Sequence, residues 1–235
     1  MVDMHTHVLP AIDDGPEDLE SSLALLRKLR ESGVTDVICT SHFYPEQRPM
    51  EEFTAKRDAA LTLVRAALAA EQVDIRLYPA AEVFVKRILL NYDSIDGLCI
   101  ADTKNILIEL PETGVEFDTV VEQLGRIMTA FPVEPVIAHI ERVPYLYRHK
   151  DKLLELKDAG YRLQLDADCL LSRGFFMKRF AIGAIREGLI DYIGSDTHNL
   201  SGRAPNLAEA YAVVAKSCGR EAVADLKRNA LELLG

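Results

Sequence analysis

Six histidines occur in the sequence, and five of them fall where a strand-like apolar run ends. His5 and His7 close the run Val2–His7, His42 follows Asp36–Ser41, His139 ends Pro135–His139, and His198 follows Asp191–Ser195. Acidic residues hold matching places. Asp14 lies in the loop Asp13-Asp14-Gly15, Glu82 follows Asp74–Ala81, Glu109 ends Asn105–Leu110, and Asp196 stands two before His198. Alternate residues of an extended strand point the same way, so His5 with His7, and Asp196 with His198, can reach one ion. Mixed imidazole and carboxylate, with no suitable set of thiolates, suits manganese, iron or zinc. These nine candidates (His5, His7, Asp14, His42, Glu82, Glu109, His139, Asp196, His198) exceed the needs of one cation. Two or three divalent ions are expected, with a carboxylate such as Glu82 bridging. Ions roughly 3.5–4 Å apart can hold a hydroxide and brace a phosphoryl group. Arg142, three residues after His139, and Arg203, five after His198, add guanidinium groups that could grip phosphate oxygens.

Plainer readings exist for each residue alone. His149, between Arg148 and Lys150, reads as a surface residue. Asp13 or Asp14 could cap a helix, either arginine could be solvated, and Glu141 could simply pair with Arg142. Jointly those readings fail, because burying so many ionisable groups together without a cation is costly.

The elements that must position these groups alternate. Seven strand-like runs are expected: the six named above and Tyr161–Leu165. Their near-continuous apolar character suits buried parallel strands. Helices are expected between them at Pro16–Glu31, Met50–Ala70, Phe117–Ala130, Lys150–Ala159, Phe176–Glu187, Ala204–Ser217 and Glu221–Leu233. In the first, Leu19, Leu23, Leu26 and Leu29 share a face, Pro16 suits the first helical position and Gly33 the left-handed stop. Strict alternation predicts a parallel α/β sheet, open or closed into a barrel, with all strand C-termini on one face. Six of the seven runs then deliver a His, Asp or Glu to that face.

The chain of 235 residues, 49% apolar, fits a single domain over 1–235 with an ample core. A formal net charge of −10 argues against sequence-independent nucleic-acid binding, and requires local positive charge to draw in an anionic substrate. Cys39, Cys99, Cys169 and Cys218 form no CxxC pair, which points to a reducing cytoplasm and to small buried residues at Cys39 and Cys169. The opening residues do not read as a signal peptide and no run suggests a membrane span. A cysteine-dependent phosphatase needs Arg six residues after its Cys; here those positions are Pro45, Asn105, Phe175 and Ala224.

The segment Asp3-Met4-His5-Thr6-His7-Val8-Leu9-Pro10 followed by Asp13-Asp14-Gly15 resembles the opening of the polymerase-and-histidinol-phosphatase (PHP) superfamily. Thr40-Ser41-His42, Ala81-Glu82-Val83, Ile108-Glu109, Val136 through Arg142 and Ser195-Asp196-Thr197-His198-Asn199 narrow this to the PHP-type protein-tyrosine phosphatases of bacterial capsule and exopolysaccharide loci, the CpsB/CapC-type family. Asn199 through Arg203, followed by Ala208-Glu209-Ala210-Tyr211, fits as well. The resemblance spans nearly the whole chain. It implies a distorted TIM-like (βα)7 barrel, the PHP fold, and up to three divalent ions, often manganese, on the nine candidates above. It also implies phosphate contacts from Arg142 and Arg203, and hydrolysis of phosphotyrosine on a bacterial tyrosine kinase with a tyrosine-rich tail. It leaves homo-oligomerisation open. One departure is Gln164-Leu165-Asp166-Ala167-Asp168, where the family often carries an Asn-containing stretch. Three rivals stand beside this reading. One is a PHP-type phosphatase of small molecules such as histidinol phosphate. Another is an amidohydrolase-type barrel, which would use a strand-four lysine that Asn105–Leu110 lacks. The third is a non-catalytic phosphotyrosine-binding regulator.

Overall fold

The computed structural model describes residues 1–171 and 174–235. In chain order the elements are β1 (Val2–Thr6), α1 (Leu19–Glu31), β2 (Asp36–Cys39), β3 (His42–Phe43), α2 (Met50–Ala70), β4 (Arg76–Pro79), β5 (Glu82–Phe84) and β6 (Asn105–Glu109). There follow α3 (Phe117–Ala130), β7 (Glu134–Ile137), α4 (Pro144–Tyr147), α5 (Lys150–Asp158), β8 (Arg162–Asp166) and α6 (Asp168–Leu171). The chain closes with α7 (Phe175–Arg186), β9 (Tyr192–Gly194), α8 (Leu207–Cys218) and α9 (Arg220–Glu232).

Every registered strand pair is parallel. The strands run in the orders β1-β2-β4 and β3-β5-β6-β7-β8-β9. The sheet curls so that the chain just past β9 lies along β1: Asp196 N donates to His5 O at 2.9 Å and His7 N to Thr197 O at 2.8 Å. The result is a mixed α/β fold around a curled parallel sheet. Alternate residues of one strand go to different apolar clusters. Val37, Ile106 and Ile137 pack with Leu26, Leu29, Val64 and Leu124 of the helices. Ile38, Leu107 and Val136 pack with Met4, Tyr192 and, from the region of α9, Ala230 and Leu233. Both faces of the sheet are therefore buried, which is why its strands read as continuous apolar runs.

Two expected strands, Asp36–Ser41 and Asp74–Ala81, stop two residues early, at Cys39 and Pro79, and a second short strand follows each. Thr40 stays with β1, its N–H donating to Thr6 O at 2.9 Å while its hydroxyl takes the Thr6 N–H at 3.0 Å. The Glu82 N–H then turns to Thr40 O and Ser41 O at 3.2 and 3.1 Å, and β3 pairs with β5 instead of β1. A residue unable to keep one ladder while joining another ends the strand, and the break sets His42 and Glu82 opposite one another. β1 carries a second irregularity. Between Asp3 and Thr6 it holds one residue more than β2 holds between Val37 and Cys39.

Helix positions follow the apolar spacing, with Met50–Ala70 and Phe117–Ala130 as expected. α1 starts later than Pro16. Asp18 caps it, accepting from Ser21 N at 2.8 Å, and Pro16 stays in the loop, where its carbonyl accepts from Ala11 N. Gly33 takes φ +90°, the left-handed stop. Short elements lacked enough length to show a period: α4, α6 and 3-10 turns at Arg87–Asn91, Asp96–Leu98 and Ile140–Arg142. No helix among the described residues is long and apolar enough to cross a membrane.

Candidate metal centre

The C-terminal ends of the strands bring the nine candidates together, with Glu82 at the middle. Its Oε2 lies 3.1 Å from His5 Nε2, 3.1 Å from His7 Nε2 and 3.0 Å from His42 Nδ1, and its Oε1 lies 2.6 Å from His139 Nε2. Glu82 is fully buried, so four imidazoles surround one carboxylate away from water. Asp196 Oδ1 is 3.6 and 3.4 Å from His5 and His7 Nε2. Asp14 Oδ1 is 3.2 Å from His198 Nε2 and 3.5 Å from His42 Nε2, while Glu109 Oε2 is 3.9 Å from His42 Nδ1. The ligand atoms fall into overlapping sets, each within 4.8 Å: His7, Asp14, His42 and His198; His5, His7 and Asp196; His42, Glu82 and Glu109; His5, His139 and Asp166.

These donors suit cations better than one another. His42 Nδ1, Glu109 Oε2 and Asp196 Oδ1 are buried without a hydrogen-bond partner among the described residues. His42 Nδ1 is close to Glu82 yet outside hydrogen-bond geometry, and His5 Nε2 faces His7 Nε2 at 3.2 Å. Lone pairs converging in this way, from imidazole and carboxylate without thiolate, match divalent ions of the zinc, manganese or iron type. Without them the cluster must carry protons. Burial opposes a charged His7, but Asp13 and Glu82 outweigh it and push its pKa up to about 10. Burial, with the charge of Glu82, raises Glu109 to about 7. Burial and the charge of His7 lower His198 to about 4.

Backbone strain helps aim the ligands. His139 sits at φ 51°, ψ 40° and Asp196 at φ 54°, left-handed conformations that cost a non-glycine residue of the order of 1 kcal/mol or more. Both follow strand ends, where the turn redirects the side chain across the sheet. Gly194 permits the close approach of β9 to β1: a Cβ there would lie 2.5 Å from the Cβ of His5.

The arginines flank the cluster. Arg142 bonds both Asp166, at 2.5 Å, and Asp196. Arg203 donates to Asp14 and lies 2.8 Å from His198 Nε2. Glu141 does not pair with Arg142 as one plain reading held; it is buried, its oxygens 3.4 Å from the Asp166 N–H, and burial with the charge of Asp166 raises it well above the usual carboxylate range. His149 is exposed, away from the centre.

Three residues that sequence reasoning did not assign to the site belong to its structure. Asp13 is no helix cap; its Oδ2 holds His7 Nδ1 at 2.8 Å and accepts from His42 N at 3.0 Å. Asp166 Oδ1 holds His139 Nδ1 at 2.7 Å. Gln164 Oε1 takes the His139 N–H at 3.1 Å and lies 3.3 Å from His5 Nδ1. Such partners fix which ring nitrogen faces the centre. The sixth expected strand, Tyr161–Leu165, was credited with no His, Asp or Glu at its end; β8 runs on to Asp166 and supplies both Gln164 and Asp166. Its signal was present, since Gln164 and Asp166 are polar alternates inside an apolar run, the same spacing as His5 and His7.

Three of the four cysteines are buried; Cys218 is half-buried, at the end of α8. Cys39 and Cys99 are buried and pushed up to about 12 by burial, and Cys169 is buried as well.

Comparison with known proteins gives concordant matches. The sequence profile of the family described as capsular polysaccharide synthesis, CpsB/CapC, matches residues 1–234. The chain is similar to the tyrosine-protein phosphatase YwqE of Bacillus subtilis (strain 168), 32% identical over 100% of this chain and 91% of that one. It is 29% identical to the tyrosine-protein phosphatase CpsB of Streptococcus agalactiae, over 94% and 92% of the two chains. Among solved structures it superposes on one from a study of YwqE from Bacillus subtilis and CpsB from Streptococcus pneumoniae, described as unique metal-dependent tyrosine phosphatases. That match has a TM-score of 0.85 at 28% identity, over 100% of this chain and 94% of the other.

Proposed function

The chain belongs to the CpsB/CapC family, and from that premise we propose that it is a metal-dependent protein-tyrosine phosphatase, a phosphoric monoester hydrolase acting on phosphotyrosine. The observation that carries this is the Glu82 carboxylate ringed by His5, His7, His42 and His139, beside a pocket walled by both Arg142 and Arg203. His5, His7, Asp14, His42, Glu82, Glu109, His139, Asp196 and His198 would hold two or three divalent ions, manganese first. Such ions supply a bound hydroxide near neutral pH and offset phosphoryl charge. The protein's own contribution is position. Asp13 and Asp166 orient the His7 and His139 rings, and Arg142 and Arg203 present guanidinium groups to the non-bridging oxygens as charge builds. The phenolate of tyrosine, with a pKa near ~10, leaves with little help from an acid.

The curled sheet is one distorted (βα)7 barrel of the PHP kind, forming a single catalytic unit over 1–235. The physiological substrate is the tail of a cognate tyrosine kinase in capsule or exopolysaccharide synthesis, met in the cytoplasm. A histidinol-phosphate-type substrate is the alternative within the same chemistry. The deciding experiment compares turnover of a phosphotyrosine peptide and of histidinol phosphate by protein purified without chelator, with metal analysis of the same sample. Chelator abolishes activity, manganese restores it, and thiol alkylation spares it. Activity that survives metal removal, or is lost on alkylation, overturns the proposal.

A further inference from the structure

The pocket that holds both arginines, about 480 Å³, is also walled by Tyr147 and Met177 and by two acids, Glu112 and Glu141. Tyr147 lines a second groove of 370 Å³ together with Arg148, Phe176, Arg179 and Phe180. Tyr147 is common to both, its ring meeting Phe180 edge-on at 6.2 Å, so the two hollows adjoin across one side chain and offer a track past it. The track has two features the fold does not require. Phe175 and Phe176 are 72% and 83% exposed and meet each other edge to face at 5.7 Å. Exposed apolar side chains that cluster, unlike singly scattered ones, are where a soluble protein meets a partner. Arg148 lies over the Tyr147 ring at 5.4 Å, and neither it nor Arg179 has a carboxylate partner among the described residues. Glu187, the acid of this groove, is taken by Lys150 at 2.7 Å. In a chain of net charge −10, this is local positive charge joined to exposed aromatic surface.

We infer that this track receives the polypeptide flanking the phosphotyrosine, and selects acidic residues accompanied by an apolar one. The inference rests on the phosphatase reading above and extends it to the substrate's sequence. The phosphate sits between Arg142 and Arg203, the substrate ring lies against Tyr147 and Met177, and the neighbouring chain crosses Tyr147 to meet Arg148, Arg179 and Phe176. Charge complementarity across a rim contributes chiefly to choice of partner and to encounter rate.

The test uses the metal-loaded full chain and three substrates: p-nitrophenyl phosphate, a phosphotyrosine peptide flanked by glutamates and a leucine, and its lysine-flanked counterpart. The wild type prefers the glutamate peptide, through KM, by about tenfold, and the preference shrinks with added salt. In the double variant Arg148→Glu, Arg179→Glu the ratio of kcat/KM between glutamate and lysine peptides inverts. Phe176→Ala lowers kcat/KM for both peptides relative to p-nitrophenyl phosphate. The inversion is a gain for one substrate, which misfolding cannot imitate. An unchanged peptide ratio in the double variant overturns the inference while leaving the phosphatase reading intact. A wild type inactive on all three substrates overturns both. A Phe176→Ala chain whose sedimentation changes while its peptide kinetics do not would assign the patch to a second copy, and overturns the inference as well.

Discussion

Replacing Asp166 by Asn isolates the part of the centre that holds ligands without being needed to touch substrate. The substitution preserves shape and removes charge. Asp166 Oδ1 holds His139 Nδ1 at 2.7 Å and Oδ2 holds Arg142 at 2.5 Å, in a side chain fully buried. An amide has one acceptor. If it faces His139, its NH2 group confronts the Arg142 guanidinium; if it faces Arg142, it offers a donor to His139 Nδ1. One of the two bonds is lost outright and the other loses its anionic acceptor, so about 2–4 kcal/mol of local interaction disappears. Arg142 keeps Asp196, which limits its movement. The larger consequence falls on His139, whose Nε2 is directed at Glu82 by the bond on its other nitrogen. Partners of this kind are worth about 10–100-fold in metal affinity or activity. We expect Asp166→Asn to bind divalent metal about 10–100-fold more weakly by titration calorimetry, and kcat/KM on phosphotyrosine peptide to recover in part at saturating metal. Wild-type affinity and activity in the variant would refute the claim that strand β8 orients the centre. So would a loss explained wholly by unfolding at the assay temperature.

Two further outcomes follow from the packing around the sheet. Gly194→Ala places a methyl 2.5 Å from the Cβ of His5 and 3.1 Å from Gln164 Nε2, so it should cost about 1–3 kcal/mol in denaturant unfolding and weaken metal binding as β1 shifts. Asp36, at the opposite end of β2, makes two bonds to Arg76 at 2.7 and 3.0 Å and one each to Thr35 and Tyr78. Burial alone would raise its pKa, but the bonds from Arg76, Thr35 and Tyr78 outweigh it and hold the carboxyl below the usual carboxylate range. A depressed folded pKa means stability fully present above the unfolded value of about 3.9 and lost as pH falls through the folded one. Asp36→Asn should therefore cost about 1–2 kcal/mol at pH 7, Arg76 being solvent-exposed, and the gap from wild type should close in unfolding curves taken below pH 4. A gap independent of pH would mean the bonds are not charge-assisted.

What the sequence disclosed, and what it concealed, divides along a physical line. Strands and long helices were legible because burial on both faces of the sheet writes continuous apolar runs, and because α2 and α3 span enough residues for a period to emerge. The candidate ligands were legible because an imidazole at a strand end has few other reasons to be there. The breaks after Cys39 and Pro79 were not legible, because Thr40, Ser41, Ala80 and Ala81 are compatible with a strand. The interruption comes from partners distant in sequence, Thr6 and Glu82. Gln164 and Asp166 were passed over because neither type is distinctive alone. Their function in the structure depends on His5 and His139, 159 and 27 residues away respectively. The same division says where evolution of such a centre has freedom. Residues that meet cations must be of a few types, and so advertise themselves. Residues that steer them need only one acceptor at one distance, which Asp, Gln, Asn or a backbone carbonyl can supply. In this chain those acceptors are Gln164 Oε1 and Asp166 Oδ1, on alternate residues of β8, and they hold His139 from its backbone and from its ring.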